Sequence, residues 1–210
     1  AALHVDGPYY SSPTSLICLE NSHNFAGGSV MSAEHCRDVC SNAHQRGLPV
    51  HLDGARIFNA AAALETSVAE LSRECDSVQF CLSKGLGAPV GSLLVGTKDL
   101  IGEARVWRKR LGGGMRQAGI LAAAGIVALE DSPAKLAEDH ANARRLAEGL
   151  AEVKGISIDP RTVVTNIVIF EIVHNGLSAE ELCRRLADNG IAAIGFGDAY
   201  GAWVQPMLRT

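Results

Sequence analysis

Leu16 to Leu19 is a short apolar run that gives way to the polar stretch Glu20-Asn21-Ser22-His23-Asn24 and then to Gly27-Gly28, the mark of a strand entering a loop. A mixed apolar and polar stretch then begins near Ser32 and is stopped by Gly47, which predicts a helix. Pro49 to Leu52 predicts a second strand, ending at Asp53-Gly54, and the alanine-rich segment from Ala55 to Leu64 a second helix. Ser67 with Glu70 forms a capping box, and Ser77 to Leu82 is a third strand whose end carries Ser83-Lys84-Gly85. After Gly91 comes a strand over Ser92 to Val95, then a helix capped by Thr97 and running to about Arg110, where Gly112-Gly113-Gly114 breaks it. Strands and helices alternating in units of this length predict an α/β layered sheet.

The order changes further along. A helical region is predicted from Met115 to Glu130, restarted with Ser132 as cap and Pro133 in the first turn, and continued from Ala134 to about Val153. Asn166 to Ile172 is a predicted strand, Ser178 with Glu181 caps a helix ending at Gly190, and Ile191 to Ile194 is a further strand. That order suits a small α+β domain. The division expected is residues 1–131 for a larger α/β domain and 132–210 for an interdomain helix and an incomplete α+β domain.

Composition narrows the function classes. The 210 residues are 47% hydrophobic, enough to bury a substantial core. A formal net charge of -4, with basic residues scattered among acids, argues against nucleic acid as a partner. No apolar run approaches the roughly 20 residues that cross a bilayer, so the expectation is a cytoplasmic protein without a membrane partner. Six cysteines without a CxxC pair suggest reduced thiols packed as small hydrophobes. Cys36, Cys40 and His44 fall at i, i+4 and i+8 of a predicted helix, which is metal-site spacing. They offer only three ligands on a face that usually packs inward, so no metal is expected.

In α/β sheets ligands gather beyond the carboxyl ends of strands, and three predicted strands end in polar or reactive groups: Asn21 to Asn24, Asp53 with Arg56, and Ser83-Lys84. A lysine at the mouth of an apolar strand can have its amine desolvated, which leaves more neutral amine for covalent attachment to a carbonyl. The glycines after Lys84 permit close backbone approach by a ligand, though their spacing is neither that of a Walker loop nor G-x-G-x-x-G. Each residue also has a plainer reading. Lys84 could be a solvated charge, Asp53 the N-cap of the next helix, His23 a loop-stabilising hydrogen bond, and Lys109 with Arg116 a solvated basic face.

The stretches Leu-Glu-Asn-Ser-His-Asn at 19–24, His-Leu-Asp-Gly-Ala-Arg at 51–56, Ser-Lys-Gly-Leu-Gly-Ala-Pro-Val-Gly at 83–91 and Gly-Gly-Gly-Met-Arg-Gln at 112–117 together resemble the threonine aldolases. These are pyridoxal-phosphate lyases of fold type I, in the superfamily of the β-eliminating lyases. The resemblance implies a large domain with a mostly parallel sheet and helices on both faces, followed by the small α+β domain. It implies pyridoxal 5'-phosphate as cofactor, an amino-acid substrate, and cleavage of threonine and related β-hydroxy-α-amino acids to glycine and an aldehyde. Lys84 would form the covalent imine with the cofactor, Asp53 would pair with the pyridine nitrogen, and Arg56 would lie near the ring hydroxyl or the substrate carboxylate. Ser83 lies beside the lysine, His23 and Asn24 match the loop beside the ring, and His23 or a water is the candidate base. Lys109 and Arg116 match basic residues near the cofactor phosphate, at least one of them reaching across from a neighbouring subunit of a homo-oligomer, a dimer or tetramer with shared sites.

The chain departs from that pattern at both ends. It begins at Ala1, and the threonine aldolases start with about a hundred further residues that bear a phosphate loop and a ring-stacking histidine. Near the other end Trp203-Val204-Gln205-Pro206 replaces an arginine-bearing segment, of which Arg209 would be a remnant. The expectation is a fragment with an open sheet edge and an uncovered apolar face. Two alternatives keep the fold: a non-catalytic or incomplete subunit that associates with a complete homologue, and a related β-eliminating lyase.

Overall fold

The computed structural model describes residues 9, 10, 12–173, 176–196 and 202–206. They form two compact units, one comprising Ala1–Ser22 and Met31–Pro133, the other His23–Val30 and Ala134–Thr210.

The first unit is built on a four-stranded sheet in the order β1 (Ile17–Glu20), β2 (Val50–Asp53), β3 (Ser77–Cys81) and β4 (Ser92–Gly96). The first three strands run parallel and β4 pairs antiparallel with β3. Helix α1 (Ala33–His44) connects β1 to β2; α2 (Ile57–Ala63) and α3 (Val68–Ser72) connect β2 to β3. Three of the predicted side-chain caps in this unit form: Ser32 accepts from His35 N, Ser67 from Glu70 N, and Thr97 from Leu100 N at the start of α4 (Lys98–Arg110). Ala-rich α2 begins two residues later than its composition suggests and has no side-chain cap. Behind β1 and β2 lies a core of Cys36, Cys40, Ala43, Leu48 and Val50, and beyond β3 a second core of Leu82, Leu86, Ala88 and Ala128.

Helix α5 (Gly119–Asp131) starts four residues later than the sequence pattern suggests. Gly112 and Gln117 both take positive φ, +84° and +46°, so the chain turns twice before it can become helical again, and Arg116 sits in that turn. Ser132 does not cap the next helix either. It ends α5 and donates its hydroxyl to Leu86 O at 2.7 Å, and a short 3-10 turn over Pro133–Lys135 follows it.

In the second unit an antiparallel sheet has the order β5 (Ile156–Ser157), β6 (Phe170–Ile172), β8 (Ala202–Pro206), β7 (Ala193–Phe196). Helix α6 (Leu136–Ala151) packs Ala143 and Ala147 on Val163 and Val168, and α7 (Ala179–Asp188) packs beside Phe170 and Ile172. Ser178 caps α7 by accepting from Glu181 N, as its motif predicts. The predicted strand from Asn166 contracts to three residues, and β5 and β8 appear where no strand is predicted. The turn from His23 to Ser29 belongs to this unit because Gly28 seats on Thr165, whose Oγ1 donates to Gly28 O at 3.0 Å. A Cβ on Gly28 would collide with that hydroxyl. Arg209 lies outside the described residues.

Candidate active site

The parallel strands of the first unit bring their carboxyl ends to one side, and that side carries Glu20, Asp53 and, one turn past β3, Ser83 and Lys84. Asp53 closes β2 with an exposed side chain, and its Oδ1 accepts from Ala55 N at 3.0 Å. That bond shapes the turn ahead of α2 and leaves the helix N-cap position to Arg56, so Asp53 is not the cap of α2. Gly54 completes the latch: its N–H donates to Gln79 O on β3 at 2.7 Å, and an added Cβ would stand only 2.9 Å from that oxygen. Backbone thus approaches backbone too closely here for any side chain.

Arg56 is half-buried, and burial holds its guanidinium below the ordinary value, opposed by the negative field of Glu20, then of Cys81, then of Asp53. An arginine remains cationic through such a shift. It is therefore a fixed positive charge set among the strand ends.

Past β3 the chain folds back on itself. Leu82 N donates to Gly91 O, Ala88 N to Leu82 O and Gly87 N to Lys84 O, each at 2.9 Å, with Gly87 and Gly91 at φ +74° and +123°. Leu86 is buried in the second core and held by Ser132, so the loop bearing Lys84 is fastened on its apolar side. Ser83 Oγ makes a long contact of 3.5 Å to Gly91 O. The Lys84 side chain is exposed and, among the described residues, makes no hydrogen bond or ion pair. The desolvated amine expected from the sequence is thus not supplied by the residues described here, because the strand mouth is apolar on the loop side only.

Lys109, in the last turn of α4, and Arg116 are both exposed, and among the described residues neither side chain makes a hydrogen bond or ion pair. Gly114 packs against Lys109, since a Cβ there would stand 2.8 Å from its Cδ. His23 and Asn24 belong to the other unit. His23 Nδ1 accepts from Ala26 N at 3.0 Å, so its neutral ring carries the proton on Nε2. Cavities of about 400–500 Å³ run along α6, between β4 and α4, and beside α1, with none of the expected site residues in their walls.

Two groups at this end are named from sequence only as part of the polar stretch after β1, with no role assigned. Buried Asn21 bonds both ways with Met31, Nδ2 to O at 2.9 Å and N to Oδ1 at 3.1 Å, which fixes the exit from β1. Ser22 Oγ is buried and, among the described residues, has no hydrogen-bond partner, a costly state for a hydroxyl that a polar group brought to this end would relieve. A primary amine, a carboxylate and a guanidinium at adjoining strand ends are, moreover, the donor set that an aldehyde-bearing, protonated pyridine phosphate calls for. The residues present fit such a cofactor.

The sheet is of the α/β class, and the profile of the beta-eliminating lyase family matches residues 1–173. The chain belongs to that family. Its curated relatives include low-specificity L-threonine aldolase 1 of Arabidopsis thaliana, 47% identical over 189 residues that make up 90% of this chain and 53% of the relative. Low specificity L-threonine aldolase of Escherichia coli O157:H7 is 54% identical over 139 residues, 66% of this chain and 41% of the relative. The chain thus spans about half the length of the curated relatives it matches. Among solved structures, a putative L-allo-threonine aldolase from Listeria monocytogenes superposes with a TM-score of 0.78 at 24% identity, covering 93% of this chain and 55% of that one, and shares its fold.

Proposed function

We propose that the protein carrying this chain cleaves threonine and related β-hydroxy-α-amino acids to glycine and an aldehyde, using pyridoxal 5'-phosphate anchored on Lys84. One observation carries this reading: Asp53 and Lys84 follow adjacent parallel strands at their carboxyl ends, in a chain whose relatives are named threonine aldolases. When bound, the cofactor supplies an electron sink for the pair released as the Cα–Cβ bond breaks.

The chain's residues do the rest. Lys84 offers the primary amine for covalent attachment, from a loop whose backbone is fastened by Leu86 and Ser132. Asp53 places a carboxylate at the ring nitrogen and keeps a proton there, and the Ala55 N–H bond orients it in advance. Arg56 supplies positive charge for the ring hydroxyl or the substrate carboxylate. Ser83 and Asn24 complete the surroundings, while Lys109 and Arg116 bind phosphate, at least one of them across the boundary of a homo-oligomer.

His23 commits its Nδ1 lone pair to Ala26 N–H. This favours a water as the base that takes the β-hydroxyl proton. Incubating the protein with threonine and cofactor tests the reading. Glycine plus acetaldehyde is the result expected; ammonia plus a keto acid would make it an eliminating lyase, and no product a binding protein, either of which overturns the proposal.

A further inference from the structure

Cys36 and Cys40 stand one helical turn apart on the buried face of α1, and Cys75 arrives at the same point from the turn between α3 and β3. The Cys75 sulfur lies 3.8 Å from that of Cys36 and 3.9 Å from that of Cys40, and the three sulfurs lie within 4.8 Å of one another. All three are free thiols. The three also pack in the core behind β1 and β2, so it is the spacing of their sulfurs that points beyond space-filling. Thiolates at two corners of a tetrahedron around zinc, with Zn–S near 2.3 Å, stand about 3.8 Å apart. The two separations from Cys75 match that spacing, and the third pair, Cys36 with Cys40, lies within 4.8 Å.

We propose that Cys36, Cys40 and Cys75 form a three-thiolate site for a divalent ion of the zinc class, with solvent in the fourth position. His44, the next donor along α1, does not complete the set, because its Nε2 is bound to Asp76 Oδ2 at 2.9 Å. Coordination exchanges the thiol protons for one divalent ion and releases them to solvent.

The site lies away from Asp53 and Lys84. Val50 begins β2 and Ser77 begins β3, so the sulfurs gather at the amino ends of the parallel strands, opposite the end that carries Asp53 and Lys84. An ion there would tie α1 to the entry of β3.

The test is a titration of the reduced protein with cobalt(II) alone, under anaerobic conditions, followed by zinc. One equivalent of cobalt should give thiolate charge transfer and the visible bands of tetrahedral coordination, zinc should bleach them, and zinc should raise the melting temperature. Cys36→Ser, Cys40→Ser and Cys75→Ser should each remove the spectrum, whereas Cys18→Ser and Cys183→Ser should keep it. Cys75→Ala, in a half-buried turn and checked by circular dichroism, serves if the buried helix variants do not fold. No cobalt spectrum, octahedral bands only, or a spectrum that survives loss of Cys75 would overturn the assignment.

Discussion

Asp53 illustrates how one carboxylate can satisfy two demands that sequence alone does not separate. Its Oδ1 accepts from Ala55 N, a local structural duty that Asn performs equally well, while its field on Arg56 is the weakest of the three negative groups that act there. Asp53→Asn should therefore leave the thermal midpoint nearly unchanged and lower turnover by about a hundredfold or more, the scale of removing a preorganised charge from a reacting centre. Steady-state kinetics beside a melting curve checks this, and unchanged turnover would reduce Asp53 to a turn former. Lys84 and Asp53 were legible as candidates because each stands between a mainly apolar strand and a glycine, Gly85 or Gly54, a local signal. Asn21 and Ser22 were legible only as part of a polar stretch, without a role, since their significance lies in burial and in a bond ten residues away at Met31. The third member of the thiol cluster was hidden for the same reason: Cys36 and Cys40 share a helical face, but only the fold brings in Cys75, while His44 turns to Asp76.

Elements held by neighbours in sequence were easier to read than those held by distant partners. Four helix starts follow from a serine or threonine three residues before the amide it caps, and the structure has all four. Strands β5 and β8 have only pairing with β6 and β7 to define them, and no periodic pattern of their own. The latch from Gly54 N to Gln79 O joins β2 to β3 and is likewise invisible locally. Gly54→Ala should cost about 1–3 kcal/mol, as overpacking does, measured as a lower denaturant midpoint with unchanged slope. Asp76 links three elements: its carboxylate accepts from Val50 N at 2.7 Å and contacts His44 of α1, and chiefly the Val50 bond holds it below the usual carboxylate value. A depressed carboxylate contributes stability that is present above its unfolded pKa and is lost as pH falls through the folded one. Asp76→Asn should accordingly flatten the fall in melting temperature below about pH 4, where a carboxylate titrates. An acid limb identical to that of the unaltered chain would remove Asp76 from this account.

At the scale of the molecule, the first unit leaves much apolar surface in contact with solvent. All five residues of edge strand β4 are exposed, Leu93, Leu94 and Val95 among them, and so are Ile120, Ile126 and Val127 of α5. An open edge beside apolar side chains favours association, so residues 1–210 expressed alone should sediment as more than a monomer, and Leu94→Lys should shift that distribution toward monomer. A monomeric parent at micromolar concentration would contradict the expectation. The account as a whole depends on one lysine. Loading the protein with pyridoxal phosphate, reducing it with borohydride and mapping the peptides tests that dependence most directly: a pyridoxyl group on the peptide containing Ser83-Lys84-Gly85 is predicted, and an adduct found only on Lys98 or Lys109 would contradict it.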